Sequence, residues 1–169
     1  MIVCERPFEH QYPAEMIRML ERIAGMESIL EIGSASGHTL VLLALSSIKG
    51  SKVCTIDAGL HWEALSVVVE KLKAAGFDAN KFKGDSKSPE AISFAEEHGP
   101  FDFVFIDGDH SYEGAKADWE NYGRMAKIVG FHDIAHPHHD VSKLWAEIKA
   151  THNTQEIVHS TMGIGLVYL

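Results

Sequence analysis

Five times along this chain a short apolar run closing on glycine or an acid gives way to a segment with helical spacing. The runs are SILEIG (28–33), KVCTID (52–57), NKFKGD (80–85), FDFVFID (101–107) and KIVGFHD (127–133). The helical segments are GHTLVLLALSSI (37–48), WEALSVVVEKLKAAG (62–76), a helix opened by Ser88-Pro89, one over 111–126 and one across Val141–Lys149. Met16, Ile17, Met19, Leu20 and Ile23 mark a helix ahead of the first run, ended by Gly25. TQEIVHS and GIGLVYL, separated by Thr161-Met162, read as a closing antiparallel hairpin. Such alternation dictates an α/β fold, a doubly wound, mostly parallel sheet with helices on both faces. Right-handed crossovers then bring every parallel strand's C-terminus to one edge, where ligands of such sheets bind. Asp57, Asp85, Asp107 and Asp133 all fall at or just beyond that edge.

With 169 residues and 46% hydrophobic composition, the chain has material for one domain with one core, residues 1–169. Residues 1–25 form an N-terminal segment and helix, and 26–169 the sheet-based core. A net charge of −9 argues against a nucleic-acid surface, which needs a basic footprint. Cys54 lies in an apolar run and reads as a reduced, buried thiol, which suits a cytoplasmic protein. Glu5 and Arg6 come too early for a signal peptide, and no apolar run is long enough for a membrane span.

LEIGSASGHT couples a strand end to a helix start. Gly33 can take a positive φ or admit a ligand to the backbone, and Gly37 permits close contact where the helix begins. Amide groups at such a helix start favour an anionic group. A dinucleotide fingerprint needs G-x-G-x-x-G, and Ala35 occupies the middle glycine's place. The loop is therefore a poor cradle for a pyrophosphate, and a nicotinamide oxidoreductase ranks last. It still suits a ligand with a carboxylate and a nucleoside, with Asp57 placed to accept both ribose hydroxyls. The alternative is a plain tight turn with Asp57 as a turn residue.

EIGSASG, IDAG and GDS (84–86), with FIDGDHSYEGAKADWENY, VGFHDI and the ending MGIGLVYL, resemble the class I S-adenosylmethionine-dependent methyltransferases. The closest resemblance is to a subgroup of small-molecule O-methyltransferase-like proteins, some of them metal-assisted. It covers residues 26–169 and implies a Rossmann-like seven-stranded sheet of order 3-2-1-4-5-7-6 with the last strand antiparallel. It further implies that Glu31, Gly33, Ser34, Ser36 and Gly37 shape a pocket for S-adenosylmethionine. Asp57 would hold the ribose, Asp85 with Ser86 would flank the adenine, and Asp107 would border the cofactor on the reaction side. Two departures stand out: Ala35 in the glycine loop, and RMAKIVGFHD without a Pro-Gly-Gly turn before the fifth strand. Little chain is left for a lid beyond residues 1–14 and the loop 134–140, so a homo-oligomer lending a cover is one expectation.

An alcohol is a weak nucleophile at neutral pH and needs a general base or a metal ion. Adjacent strand ends lie about 4.8 Å apart, close enough for Asp107 and Asp133 to converge on one hard cation such as Mg²⁺. The resemblance points to Asp107, Asp133 and His132 as ligands of that divalent cation. In a metal-free version His110 or His132 is the base and Asp107 orients it, while His110 can equally be a loop residue before the next helix. HDIAHPHHD reads as a polar loop at the substrate mouth rather than a zinc site, and Tyr112 as a pocket-lining candidate. The leading expectation is methyl transfer to a hydroxyl of a small molecule. A metal-dependent hydrolase using Asp107, Asp109, His110, His132 and Asp133, or a non-catalytic cofactor-binding module, are the rivals.

Overall fold

The computed structural model describes residues 11–159 and 161–169. The segment expected ahead of the first helix falls largely outside them. Seven strands, β1 (Ser28–Ile32), β2 (Lys52–Asp57), β3 (Asp78–Lys83), β4 (Phe101–Ile106), β5 (Ala126–His132), β6 (Asn153–Ile157) and β7 (Ile164–Tyr168), form one sheet in the order β3-β2-β1-β4-β5-β7-β6. Only the two pairings made by β7 are antiparallel, so the expected order and the reversed last strand are both found. The helices are α1 (Pro13–Ile23), α2 (His38–Ser46), α3 (Trp62–Ala74), α4 (Pro89–His98), α5 (Tyr112–Tyr122) and α6 (Val141–Thr151).

The weak alternation of FDFVFI has a direct cause: β4 is covered on both faces. Phe103 and Phe105 pack with Met16, Met19 and Ile23 of α1 and Leu43 of α2. Val104 and Ile106 face the other way, toward Ala91, Ala115, Tyr122 and Trp145 on α4, α5 and α6. Each fully buried ring of this kind contributes about 2–3 kcal/mol. Tyr122 and Trp145 are buried and the Trp119 ring lies 5.8 Å from that of Phe131, so the three aromatics belong to the packing of this layer. Cys54 is an unpaired, buried thiol.

Boundaries move in three places. β3 spans Asp78–Lys83, two residues earlier than its apolar content suggests, because backbone pairing with β2 rather than side-chain burial defines this edge strand. Asp85 thus sits beyond the strand, on the loop. β6 stops at Ile157. α5 ends at Tyr122, and a single 3₁₀ turn, Gly123–Met125, feeds straight into β5 where the family's Pro-Gly-Gly turn is missing.

One long-range tie fixes the N-terminal helix. Glu15 of α1 is fully buried, and its carboxylate accepts the backbone N–H of His159 at 2.7 Å and of Gly163 at 3.1 Å. The connection between β6 and β7 therefore hangs on α1.

The register places the functional edge. Ile56, Ile32, Ile106 and Phe131 form one row across β2, β1, β4 and β5. The next residue on each strand is Asp57, Gly33, Asp107 and His132, so these four make one rim. Gly33 adopts φ +85°, and a Cβ there would lie 2.6 Å from Gly108 Cα and inside the Asp107 carbonyl. The close approach that requires glycine is thus made by the chain itself. Gly33→Ala is expected to lower stability by about 2–4 kcal/mol through this overlap and the left-handed φ, read as a lower urea midpoint at unchanged slope.

Candidate active site

The loop after β1 is built around Asp57. Gly37 N–H donates to the Ser34 carbonyl at 2.7 Å and closes the turn. Ala35, the departure from the glycine pattern, takes a left-handed φ of 48°. Its N–H donates to Asp57 Oδ2 at 2.8 Å, and Gly59 N–H donates to Asp57 Oδ1 at 2.6 Å. One carboxylate therefore clamps the loops after β1 and β2. Each oxygen keeps a second lone pair for a ribose hydroxyl. Gly37 caps α2 at φ +87° with Leu65 and Val68 of α3 just beneath it, so it serves helix packing.

Beneath the loop, Ser34 Oγ donates to Glu31 and meets Thr55 Oγ1 at 2.6 Å. Burial is the main cause that pushes the Glu31 carboxyl up to about 8; the Ser34 hydroxyl opposes it, and Asp107 and Asp57 add to it. Glu31 is therefore mostly neutral at pH 7. Its Oε1 is buried without a partner, which fits a site where a ligand supplies the missing group. Ser36 is half-buried, its Oγ 3.1 Å from His38 Nδ1.

On the expected adenine side, Asp85 is exposed and accepts the Lys87 N–H at 2.9 Å. Lys87 Nζ reaches on to Asp109 Oδ2 at 3.1 Å and so bridges the loops after β3 and β4. Ser86 accepts the Tyr122 hydroxyl through its carbonyl. Asp118, with no direct hint in the sequence, is fully buried beside Gly108, and burial pushes its carboxyl up to about 6.

The reaction side gathers three elements. His132 Nδ1 lies 3.1 Å from Asp107 Oδ1 and 3.2 Å from Asp133 Oδ1. Burial alone would lower the His132 pKa, but Asp107 and Asp133 outweigh it and raise it. Asp133 Oδ2 faces His110 Nδ1 at 3.1 Å and His139 Nδ1 at 2.6 Å. Burial would raise Asp133, yet these imidazoles hold it down to about 2. The hydrogen bond to Asp133 raises the His110 pKa. Donor atoms of Asp107, His132 and Asp133 all lie within 4.8 Å of one another. His132 Nε2 and Asp133 Oδ1 are buried without hydrogen-bond partners, so the donor set fits a divalent cation.

Several placements differ from expectation. His132 is 4% exposed and its free nitrogen is sealed in, whereas His110 is 38% exposed on its side chain. Tyr112 donates its hydroxyl to Glu147 at 3.0 Å, on the side of α6 rather than into the rim. Gln11, which carried no sequence signal, donates to Asp107 Oδ2 at 3.2 Å and accepts from Thr39 at 3.0 Å. His139 was readable only as part of a histidine-rich loop.

Order 3-2-1-4-5-7-6 with this rim is the arrangement of the class I methyltransferases. A methyltransferase-domain family profile matches residues 30–134, and the chain belongs to that family. A probable caffeoyl-CoA O-methyltransferase of Arabidopsis thaliana is 28% identical over 123 residues, 68% of this chain and 48% of that protein. Tricin synthase 1 of Oryza sativa is 31% identical over 101 residues, 57% of this chain and 40% of that protein. The chain spans about half the length, or less, of the curated relatives it matches. An O-methyltransferase from Bacillus cereus, solved in complex with SAH, superposes with a TM-score of 0.73 at 19% identity, covering 96% of this chain and 84% of that one. The hydrolase and nicotinamide readings gain no support from these relatives.

Glu31 gives a pH test. Its folded pKa of about 8 exceeds the ordinary 4.5, so its favourable contribution is complete below pH 4.5 and lost as pH rises through 8. Glu31→Gln is expected to gain stability relative to the parent chain progressively across that window, read from urea midpoints at pH 4.5, 7 and 9.

Proposed function

We propose that residues 1–169 act as one methyltransferase domain that moves a methyl group from S-adenosylmethionine to a hydroxyl oxygen of a small molecule. The observation that carries this is the rim itself: Gly33, Asp57 and Asp107 on three adjacent strands, with β1 flanked by β2 and β4. Among the described residues no helix is long and apolar enough to cross a membrane, and a cytoplasmic setting is supported by the buried, unpaired Cys54. The O-methyltransferase names of the Arabidopsis thaliana and Bacillus cereus proteins support an oxygen acceptor.

S-adenosylmethionine supplies an electrophilic methyl on a sulfonium. Asp57 offers two oxygens to the ribose, while Glu31 and the loop 33–37 receive the amino-acid end. Asp85 and Ser86 border the base. Asp107, held by His132 and Gln11, borders the reacting end. As the acceptor oxygen bonds to the methyl carbon and the carbon–sulfur bond breaks, the hydroxyl proton must leave. Of the two candidate bases, His110 is the reachable one, and His132 acts by positioning Asp107 and Asp133. A divalent cation on Asp107, His132 and Asp133 would lower the acceptor's pKa. A non-catalytic module would keep cofactor binding and its biological role after Asp107→Ala.

Calorimetric titration with S-adenosylhomocysteine tests the reading. We expect saturable binding, weakened about tenfold or more in Asp57→Ala. Tighter binding with Mg²⁺ supports the metal route, and indifference to chelator the His110 route. No binding at saturating ligand would remove the proposal.

A further inference from the structure

The loop after β5 does more than line the mouth of the site. Asp133 is 2% exposed and splits its carboxylate between two groups of imidazoles. Oδ1 lies beside His132 but has no hydrogen-bond partner. Oδ2 faces two further rings, His110 at 3.1 Å and His139 at 2.6 Å, both through Nδ1. Those rings stack with centroids 4.4 Å apart and 17° between planes, so both present Nδ1 to the same oxygen. His136 stacks on His139 at 3.8 Å. The Asp140 N–H donates to the His110 carbonyl at 3.1 Å and ties the two loops together.

We propose that His110, Asp133 and His139 form a second metal site, selective for a transition-metal ion of the Zn²⁺ type over Mg²⁺. Their donor atoms lie within 4.8 Å of one another. A tetrahedral shell with bonds of about 2.0–2.2 Å sets donors about 3.3 Å apart. Small rotations of His110 and His139, 38% and 31% exposed, bring the set to that spacing. Two imidazole nitrogens and one carboxylate oxygen suit zinc-like ions, whereas Mg²⁺ prefers oxygen throughout. Three protein ligands leave a fourth position open, the catalytic pattern for such ions. This set uses Oδ2 of Asp133, so it is distinct from the Asp107–His132–Asp133 set, which converges on Oδ1. The binding claim stands alone. Its use, presenting an oxygen acceptor in ionised form in place of a free His110 base, rests on the methyl-transfer reading.

Co²⁺ is the probe, titrated into the full chain and followed by visible absorption. We expect an equivalent that depends on His110 and His139, with bands of a low-coordinate nitrogen-ligated ion, displaced by Zn²⁺ and not by excess Mg²⁺. His110→Ala and His139→Ala should each weaken it by about tenfold or more. Asp107→Asn and His138→Ala should retain it, with circular dichroism melting to verify that every variant folds. The proposal fails if neither histidine variant weakens Co²⁺ or if Mg²⁺ competes at similar concentration. It also fails if Asp107→Asn or His138→Ala costs as much as His139→Ala. A thermal shift with S-adenosylhomocysteine on the same samples separates the two claims. A shift without the His-dependent Co²⁺ bands sinks only the metal site, and the bands without a shift sink only the methyl-transfer reading.

Discussion

Everything at the functional edge depends on β1 and β4 closing against each other at their carboxyl ends. The backbone of Asp107 and Gly108 comes so near Gly33 that no side chain fits between them. Because that contact exists, the Asp107 N–H reaches the Ile32 carbonyl at 2.9 Å, and the Gly33 N–H reaches the Ile56 carbonyl at 2.9 Å. Three strand ends are thereby stitched into one lip. The acid after each strand then points from a common base, which is what lets separate loops act on one ligand.

The lip concentrates carboxyl groups, and the protein manages their mutual repulsion in two ways. Under the glycine loop, burial keeps Glu31 mostly protonated at neutral pH, and beside Gly108 it raises the Asp118 carboxyl to about 6. On the β5 side Asp133 stays ionised, its carboxyl held low by His110, by His132 and by the hydrogen bond with His139. Glu31 thus sits mostly neutral beneath the loop after β1, while Asp133 on the β5 side is ionic.

Much of this could be read before any coordinates. Apolar runs closing on Gly33, Asp57, Asp107 and Asp133 gave the parallel sheet and its edge, because strand direction and crossover handedness leave little freedom. The sheet order came from the resemblance, of which DGDHSYEGAKADW is the specific part. Local patterns did not reveal Gln11, Asp118 or the pairing of His139 with Asp133, since each depends on loops or helices far apart in sequence meeting at the rim. Tyr112 misled for the same reason: its place after a strand-end loop says nothing of the helical turn that points it at Glu147. In the sequence Ala35 is a departure from the glycine pattern. In the fold it is a left-handed residue whose N–H is held by Asp57.

Glu15 carries a consequence for how the chain assembles. Its partners lie 144 and 148 residues downstream, and they hold the connection into the one reversed strand of the sheet. Strand β7 lies between β5 and β6, so the sheet is not finished until residues 164–168 are present. Such distant pairings are slow to form because the chain must first close a very large loop. Closing the sheet is thus a late event, and α1 is tied to the β6–β7 connection only once His159 and Gly163 are in place.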